Sequence, residues 1–322
     1  MSRTNLALLQ KVVGWLFIAA FLYFFASTLA SEWPKLSQHA WQPDWGYLLL
    51  FVLILFARPP LSAFGWRWLV LRLGGPPLNF RQTIHVYFAA SLGRYLPGSV
   101  WYAVGRVVLG ERMGISRGLG SLSLVLETAL ITFTGLLVAP FALAATPLLA
   151  GANPLLVTAA YAAFVALAVA LMWRNDLFFS LLNWGLRRLK RQPVEGRLGF
   201  SDLLLLNLPF LLGWLLYAVL SYCLVAFVYP VSLSLALPLG ASFIAAWAVG
   251  FLTFVAPNGF GVREGVAVYL LSFYLPAWVP LIVAVLSRLG SLVADVPWAI
   301  LAGWYGRGLA QGSKQGKVSG SL

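Results

Sequence analysis

Apolar residues in this chain neither alternate nor form narrow helical stripes. They run continuously for twenty residues or more, interrupted by short polar or Pro/Gly-rich stretches. A helix needs ~20 consecutive apolar residues to cross a bilayer core, and membrane barrel strands would alternate in polarity over ~10 residues. The pattern therefore predicts an all-α polytopic membrane protein with full spans at about 12–30, 46–70, 119–145, 154–173, 203–229 and 280–305. Arg3 and Lys11 precede the first run, which exceeds the ~7–15 residues of a signal-peptide core and reads as an uncleaved span. Two further apolar stretches, 82–110 and 236–277, are broken by Pro/Gly clusters. Pro59-Pro60 in the second span is expected to kink or break that helix.

Loop charges orient these segments, because basic residues collect on the cytoplasmic side. Arg3 and Lys11 place the N-terminus inside, and Arg307, Lys314 and Lys317 place the C-terminus there too. Arg81 and Arg112 bracket the stretch 82–110, so it begins and ends on the cytoplasmic side, and its 29 residues are too few for two crossings. It is expected to be a re-entrant hairpin with its apex at Pro97-Gly98. The stretch 236–277 begins and ends outside, which predicts a second hairpin with its apex at Pro257-Asn258-Gly259. On this map sixteen of the 22 basic residues lie on the cytoplasmic side. Each half then reads as two spans, a hairpin and one span, with opposite starting sides. That is an inverted repeat, a plan common in transporters. The expected organisation is one transmembrane domain over 1–310, with halves of about 1–150 and 151–310, and a disordered Gly/Ser/Lys-rich tail over 311–322.

Composition sharpens this picture. Of 322 residues 61% are hydrophobic and 10% charged, the latter against about 25% in soluble domains, and the mean hydropathy is +0.87. The net charge of +13 is accounted for by cytoplasmic loops and needs no nucleic-acid partner. The single cysteine, Cys223, excludes an internal disulfide, and two distant histidines, His39 and His85, give no metal-ligand spacing. No cofactor is expected. The localisation implied is the cytoplasmic membrane, multi-pass.

Charges inside membrane segments are costly and mark functional candidates. Five are basic (Arg58, Arg94, Arg106, Arg263, Arg288) and three acidic (Glu127, Glu264, Asp295), an excess of two positive charges. Arg94 and Arg106 flank the first apex, and Arg263 and Glu264 follow the second. Glu127 lies 30 residues beyond Pro97 and Arg288 lies 31 beyond Pro257. An anionic ligand, such as a phosphate held by arginine forks, would balance the excess. The helix after each apex points its free N–H groups at the same region. Most tryptophans and tyrosines read as interfacial belts; Trp101 and Tyr102, just past the first apex, are the exceptions. The residues leave three readings open. The first is a translocase of an anionic lipid. The second is a membrane enzyme acting on a lipid phosphate, with Glu127 or Glu264 as general base. The third is a non-catalytic partner subunit of a lipid or glycan synthase.

The run Pro257-Asn258-Gly259-Phe260-Gly261-Val262-Arg263-Glu264-Gly265 resembles the Pro-Gly-Gly-x-Gly-x-x-Glu signature of the lysylphosphatidylglycerol synthase/flippase transmembrane-region family. Tyr95-Leu96-Pro97-Gly98-Ser99-Val100-Trp101, followed by Arg106, is similar to that family's upstream Pro-Gly motif, and Glu127 and Arg288-Leu289 fit its pattern. The resemblance covers about residues 50–306. Asn258 stands where a glycine is usual, and Tyr102 stands near a place where many members carry an acid. The resemblance implies a flippase-like domain for an anionic phospholipid or a polyprenyl-phosphate-linked glycan, with glycan- or lipid-synthesis enzymes as possible partners. Taken with the membrane charges, it implies a substrate site formed by Arg94, Pro97, Gly98, Trp101, Arg106, Glu127, Pro257, Gly259, Gly261, Arg263, Glu264 and Arg288. The longest hydrophilic stretch, 174–202, is too short to fold alone, so translocation without aminoacyl transfer is expected.

Overall fold

The computed structural model describes residues 43–95, 100–142, 151–174, 198–252 and 261–318, with a few single positions outside those ranges. Among the described residues the chain is helical, with nine α-helices: α1 Trp45–Arg72, α2 Phe80–Phe88, α3 Val100–Arg112, α4 Arg117–Val138, α5 Pro154–Trp173, α6 Phe200–Val228, α7 Ala236–Leu252, α8 Val262–Leu271 and α9 Trp278–Val318. The helices start where a polar side chain satisfies the free N–H groups of the first turn. Asp44 Oδ1 accepts from the N–H of Gly46 at 2.9 Å. Asn79 and Gln82 form a reciprocal capping box, and Asn153 Oδ1 accepts from Leu155 N–H at 2.9 Å ahead of Pro154 in the first turn.

Among the described residues five helical segments are long and apolar enough to cross a membrane: Trp45–Arg72, Arg117–Ala142, Phe200–Val228, Leu233–Leu252 and Trp278–Leu309. Four of them match the expected spans. The fifth, Leu233–Leu252, is the leg before the second apex, which the sequence reading assigns to a hairpin; by length and composition it can cross. The leg after it, α8, has ten residues and rises only about 15 Å, half a bilayer core. In the first hairpin stretch α2 has nine residues and α3 thirteen, about 14 and 20 Å, so neither crosses. The expected span 12–30 and both apices, Pro97-Gly98 and Pro257-Asn258, fall outside the described residues. The span 154–173 is present as α5, which packs only lightly on α6 and exposes Leu155, Leu156, Leu167 and Trp173. Leucines also cover the outward faces of α1 and α6, among them Leu49, Leu53, Leu208 and Leu215. A surface of this kind suits lipid and not water.

Helix α1 runs unbroken through Pro59-Pro60, so of the expected kink or break the break does not occur. Two proline N–H groups are missing there, yet α1 lies along α6 for its whole length and tertiary contact outweighs the two lost bonds. The two helices are antiparallel. Trp45 meets Phe227 and Tyr47 meets Tyr222 at one end. A Cβ on Gly65 would stand 3.2 Å from Pro209, and Arg72 is bridged to Asp202 at 2.8 Å at the other end. Helix α2 runs antiparallel to α9, with Phe80 against Tyr305, His85 Nδ1 2.8 Å from the carbonyl of Ala302, and Phe88 stacked on Trp298. Further contacts join α3 to α4, α8 to α9, α1 to α4, α6 to α9, and α7 to α4. The largest core, built on Trp214, Tyr217, Phe243, Leu271 and Val283, fills the space between α6, α7, α8 and α9. Helix α9 continues to Val318, into the segment whose composition predicts disorder. Adding residues to an existing helix costs far less than nucleating one.

Candidate functional site

The glycines of the second motif fold as the chemistry of glycine requires. Gly259 and Gly261 have φ of 65° and 83°, the left-handed region that other residues avoid. The turn also presses on α7: a Cβ on Gly259 would stand 2.8 Å from the carbonyl oxygen of Gly250, and one on Gly250 would stand 2.9 Å from the Cβ of Arg263. This packing launches α8 with Glu264 in its first turn. The buried Glu264 carboxylate accepts from the N–H of Gly261 at 2.6 Å and pairs with Arg288 Nε on α9 at 2.9 Å. One side chain thus caps α8 and ties it to the next span.

The first motif builds a counterpart. Arg106 on α3 donates from Nη1 to Glu127 Oε2 on α4 at 2.7 Å and to the Tyr102 hydroxyl at 2.6 Å. The Tyr87 hydroxyl donates to Glu127 Oε1 at 2.8 Å. The guanidinium lies 4.2 Å from the Tyr87 ring centroid and 4.6 Å from that of Trp66, and Trp66 is itself fixed by donating to Ser123 Oγ at 3.0 Å. Arg106 and Glu127 are only 2% and 3% exposed, so this pair is sealed. The two ion pairs join the same elements, the helix after an apex and the span that follows it, with reversed polarity: Arg106–Glu127 in one half, Glu264–Arg288 in the other. Arg94, before the first apex, donates from Nε to the carbonyl of Ser91 at 3.0 Å, stacks on Tyr102 at 5.0 Å and reaches Asp295 on α9 at 3.7 Å. Trp101 is exposed.

Two arginines remain, and they meet on one tyrosine. Arg263 Nη2 donates to the hydroxyl of Tyr217 on α6, and its Cζ lies 5.8 Å from that ring centroid. Arg58, at the midpoint of α1, places its Cζ 5.1 Å from the same centroid. Neither has a carboxylate within 4 Å among the described residues. The Nε of Arg58 has lost its contact with solvent and finds no hydrogen-bond partner there, a state that costs about 1–3 kcal/mol in a protein interior. Both side chains are only partly buried, so a ligand can reach them. Tyr217 is buried and held by Trp214 and Phe243.

The sequence-predicted residues therefore separate into three groups. Arg106 with Glu127 and Arg288 with Glu264 are paired ties between helices. Gly259 and Gly261 shape the turn that places Arg263. Pro97, Gly98 and Pro257 lie outside the described residues. Sequence reasoning did not select Tyr217, Tyr87 or Trp66. For Tyr217, midway along the run 203–229, the available signal was an aromatic residue far from either end, where a belt residue would not sit; Trp66 and Tyr87 lie near the ends of their runs and gave no such signal. Arg58 was visible as a charge, but its convergence with Arg263 was not. No group of three or more metal-ligating side chains occurs among the described residues. Both acids of the membrane segments that follow the apices, Glu127 and Glu264, are engaged by arginine.

A family model described as lysylphosphatidylglycerol synthase TM region matches residues 11–298. No curated protein and no solved structure matches the chain.

Proposed function

The chain belongs to the lysylphosphatidylglycerol synthase TM region family, a family of membrane domains tied to phospholipid modification or flipping, and on that ground we propose that it is a translocase moving an anionic lipid, a phospholipid or a polyprenyl-phosphate-linked glycan, between leaflets of the cytoplasmic membrane. One observation carries this reading: Arg58 and Arg263 converge on Tyr217 where α1 packs on α6, with no carboxylate of the described residues within 4 Å of either. An uncompensated guanidinium pair at membrane depth is costly and becomes favourable when a phosphate accepts its forked N–H groups.

The surroundings support the same reading. Exchanging α1 with α6, α2 with α7, α3 with α8 and α4 with α9 leaves the packing partners unchanged. The equivalent helices α1 and α6 are antiparallel, as inverted halves demand, and the reversed ion pairs fall on equivalent elements. Binding at the interface of such halves is the usual place for a transported substrate. In this reading Arg58, Arg263 and Tyr217 hold the headgroup. The bridges Arg106–Glu127 and Glu264–Arg288 hold each post-apex helix to its span, one toward each leaflet, and rocking of the halves exposes the headgroup in turn. In this reading both termini lie in the cytoplasm, the side that the loop charges favour.

The test is lipid sidedness in vesicles reconstituted with the full chain. A headgroup-labelled anionic lipid should become accessible from the opposite leaflet faster with the native protein than with Arg263→Gln. Equal rates for the native chain, the variant and protein-free vesicles would end the translocase reading.

A further inference from the structure

We infer that the Arg58/Arg263 site takes a headgroup carrying two negative charges at the bilayer depth of Tyr217, a terminal phosphomonoester or a diphosphate, and discriminates against the single charge of a phosphodiester such as phosphatidylglycerol. The inference rests on the lipid reading above and narrows its substrate class.

The charge balance comes first. Arg106 and Glu127 neutralise one another, as do Arg288 and Glu264. Of the remaining membrane charges, Asp295 offsets one of three arginines, Arg94 being its partner at 3.7 Å. Two positive charges are left, and because Arg94 is the arginine that Asp295 reaches within 4 Å, they are the two that share Tyr217. A monoanion would leave one buried charge uncompensated; a dianion leaves none.

Acceptor count comes second. The planar guanidinium presents a rigid fork that grips two oxygens at once. Arg58 has its Nε buried and unsatisfied, so its fork is whole. Arg263 has committed Nη2 to Tyr217 and keeps its other donors. One bidentate grip engages two oxygens, so a third oxygen lets the second arginine bond without sharing an acceptor. A phosphodiester offers two non-bridging oxygens, a phosphomonoester offers three, and a diphosphate offers more.

The experiment is native mass spectrometry on the purified full chain, loaded with equimolar phosphatidic acid, phosphatidylglycerol and a polyprenyl-diphosphate-linked sugar, whose two bridged phosphates carry one charge each. Arg58→Gln and Arg263→Gln are run beside it, and Arg58→Lys keeps the charge while removing the fork. The native protein should retain phosphatidic acid or the diphosphate over phosphatidylglycerol by about tenfold or more, the scale of one close, desolvated charge contact. Each glutamine variant should erase that preference, and Arg58→Lys should weaken it. Which of the two dianionic lipids is retained more separates a monoester substrate from a diphosphate-linked one. The preference for phosphatidic acid should also fade between about pH 7.5 and about pH 5, because a phosphomonoester dianion takes up one proton near pH 6 and becomes a monoanion while arginine stays charged. Equal retention of phosphatidic acid and phosphatidylglycerol, with both lost in Arg263→Gln, would overturn the two-charge inference and leave the translocase reading standing. Equal, non-selective lipid on native and variant proteins alike would overturn both. Thermal melting of each variant identifies any that fails to fold, and in that case Arg58→Lys and the pH dependence of the native protein decide.

Discussion

The sealed Arg106–Glu127 pair allows a sharp energetic comparison, since a second pair with nearly the same geometry lies at the surface. Arg106 and Glu127 are 2.7 Å apart with side chains 1% and 4% exposed; Arg117 and Glu111 are 2.8 Å apart with side chains 74% and 44% exposed. Distance alone predicts equal worth. Burial predicts otherwise. Glu127→Ala strands a guanidinium in an aromatic box, which costs about 3–5 kcal/mol, and leaves the Tyr87 hydroxyl without its acceptor, a further ~1 kcal/mol. The total is about 4–6 kcal/mol. Glu111→Ala removes a solvated pair worth at most ~1 kcal/mol. Equilibrium unfolding in mixed detergent–SDS micelles, followed by tryptophan fluorescence, measures both. A double variant, Glu127→Leu with Arg106→Met, should recover most of the loss, because replacing a buried pair by apolar groups of similar volume is often near neutral. Midpoints displaced equally by Glu127→Ala and Glu111→Ala would refute the weighting by burial.

Other substitutions probe the second motif. Gly250→Ala places a methyl 2.9 Å from the Cβ of Arg263 and should cost about 1–3 kcal/mol through overpacking, read in the same unfolding assay. Gly265→Ala, in α8 with nothing within 4 Å of the new Cβ, should instead stabilise by about 0.5–1 kcal/mol. Glu264→Gln keeps an oxygen for the N–H of Gly261 but loses the charge facing Arg288, so it should be milder than Glu264→Ala, whose unfolding midpoint should fall furthest. Tyr217→Phe removes the hydroxyl that accepts from Arg263 while keeping the ring, and should change lipid retention in native mass spectra with a stability loss of only ~1 kcal/mol.

Much of the fold was legible in the order of the residues. Crossing segments are contiguous apolar runs, and the cost of placing them in water or lipid depends on each segment's own side chains. The runs 46–70, 119–145, 203–229 and 280–305 therefore correspond to α1, α4, α6 and α9. Candidate charges were visible for the same reason: a lone arginine or glutamate in such a run stands out whatever surrounds it. The Gly259/Gly261 pair announced backbone that only glycine takes readily. Less legible was α7, where a proline-broken stretch looked like a half-span and proved long enough to cross. The unbroken course of α1 through Pro59-Pro60 was also hidden, since local propensity argues against it and the contact with α6 outweighs it.

By itself the sequence determined that this is a helical membrane chain with an excess of two positive charges inside its apolar segments, because hydropathy and charge are properties of residues taken one at a time. Only the tertiary structure decided how those charges are shared out. Arg106 met Glu127, Arg288 met Glu264, and Arg58 and Arg263 both met Tyr217. Those meetings depend on the antiparallel register of α1 on α6 and on the close turn at Gly250 and Gly259, where residues tens to hundreds of positions apart come within a few ångströms of one another.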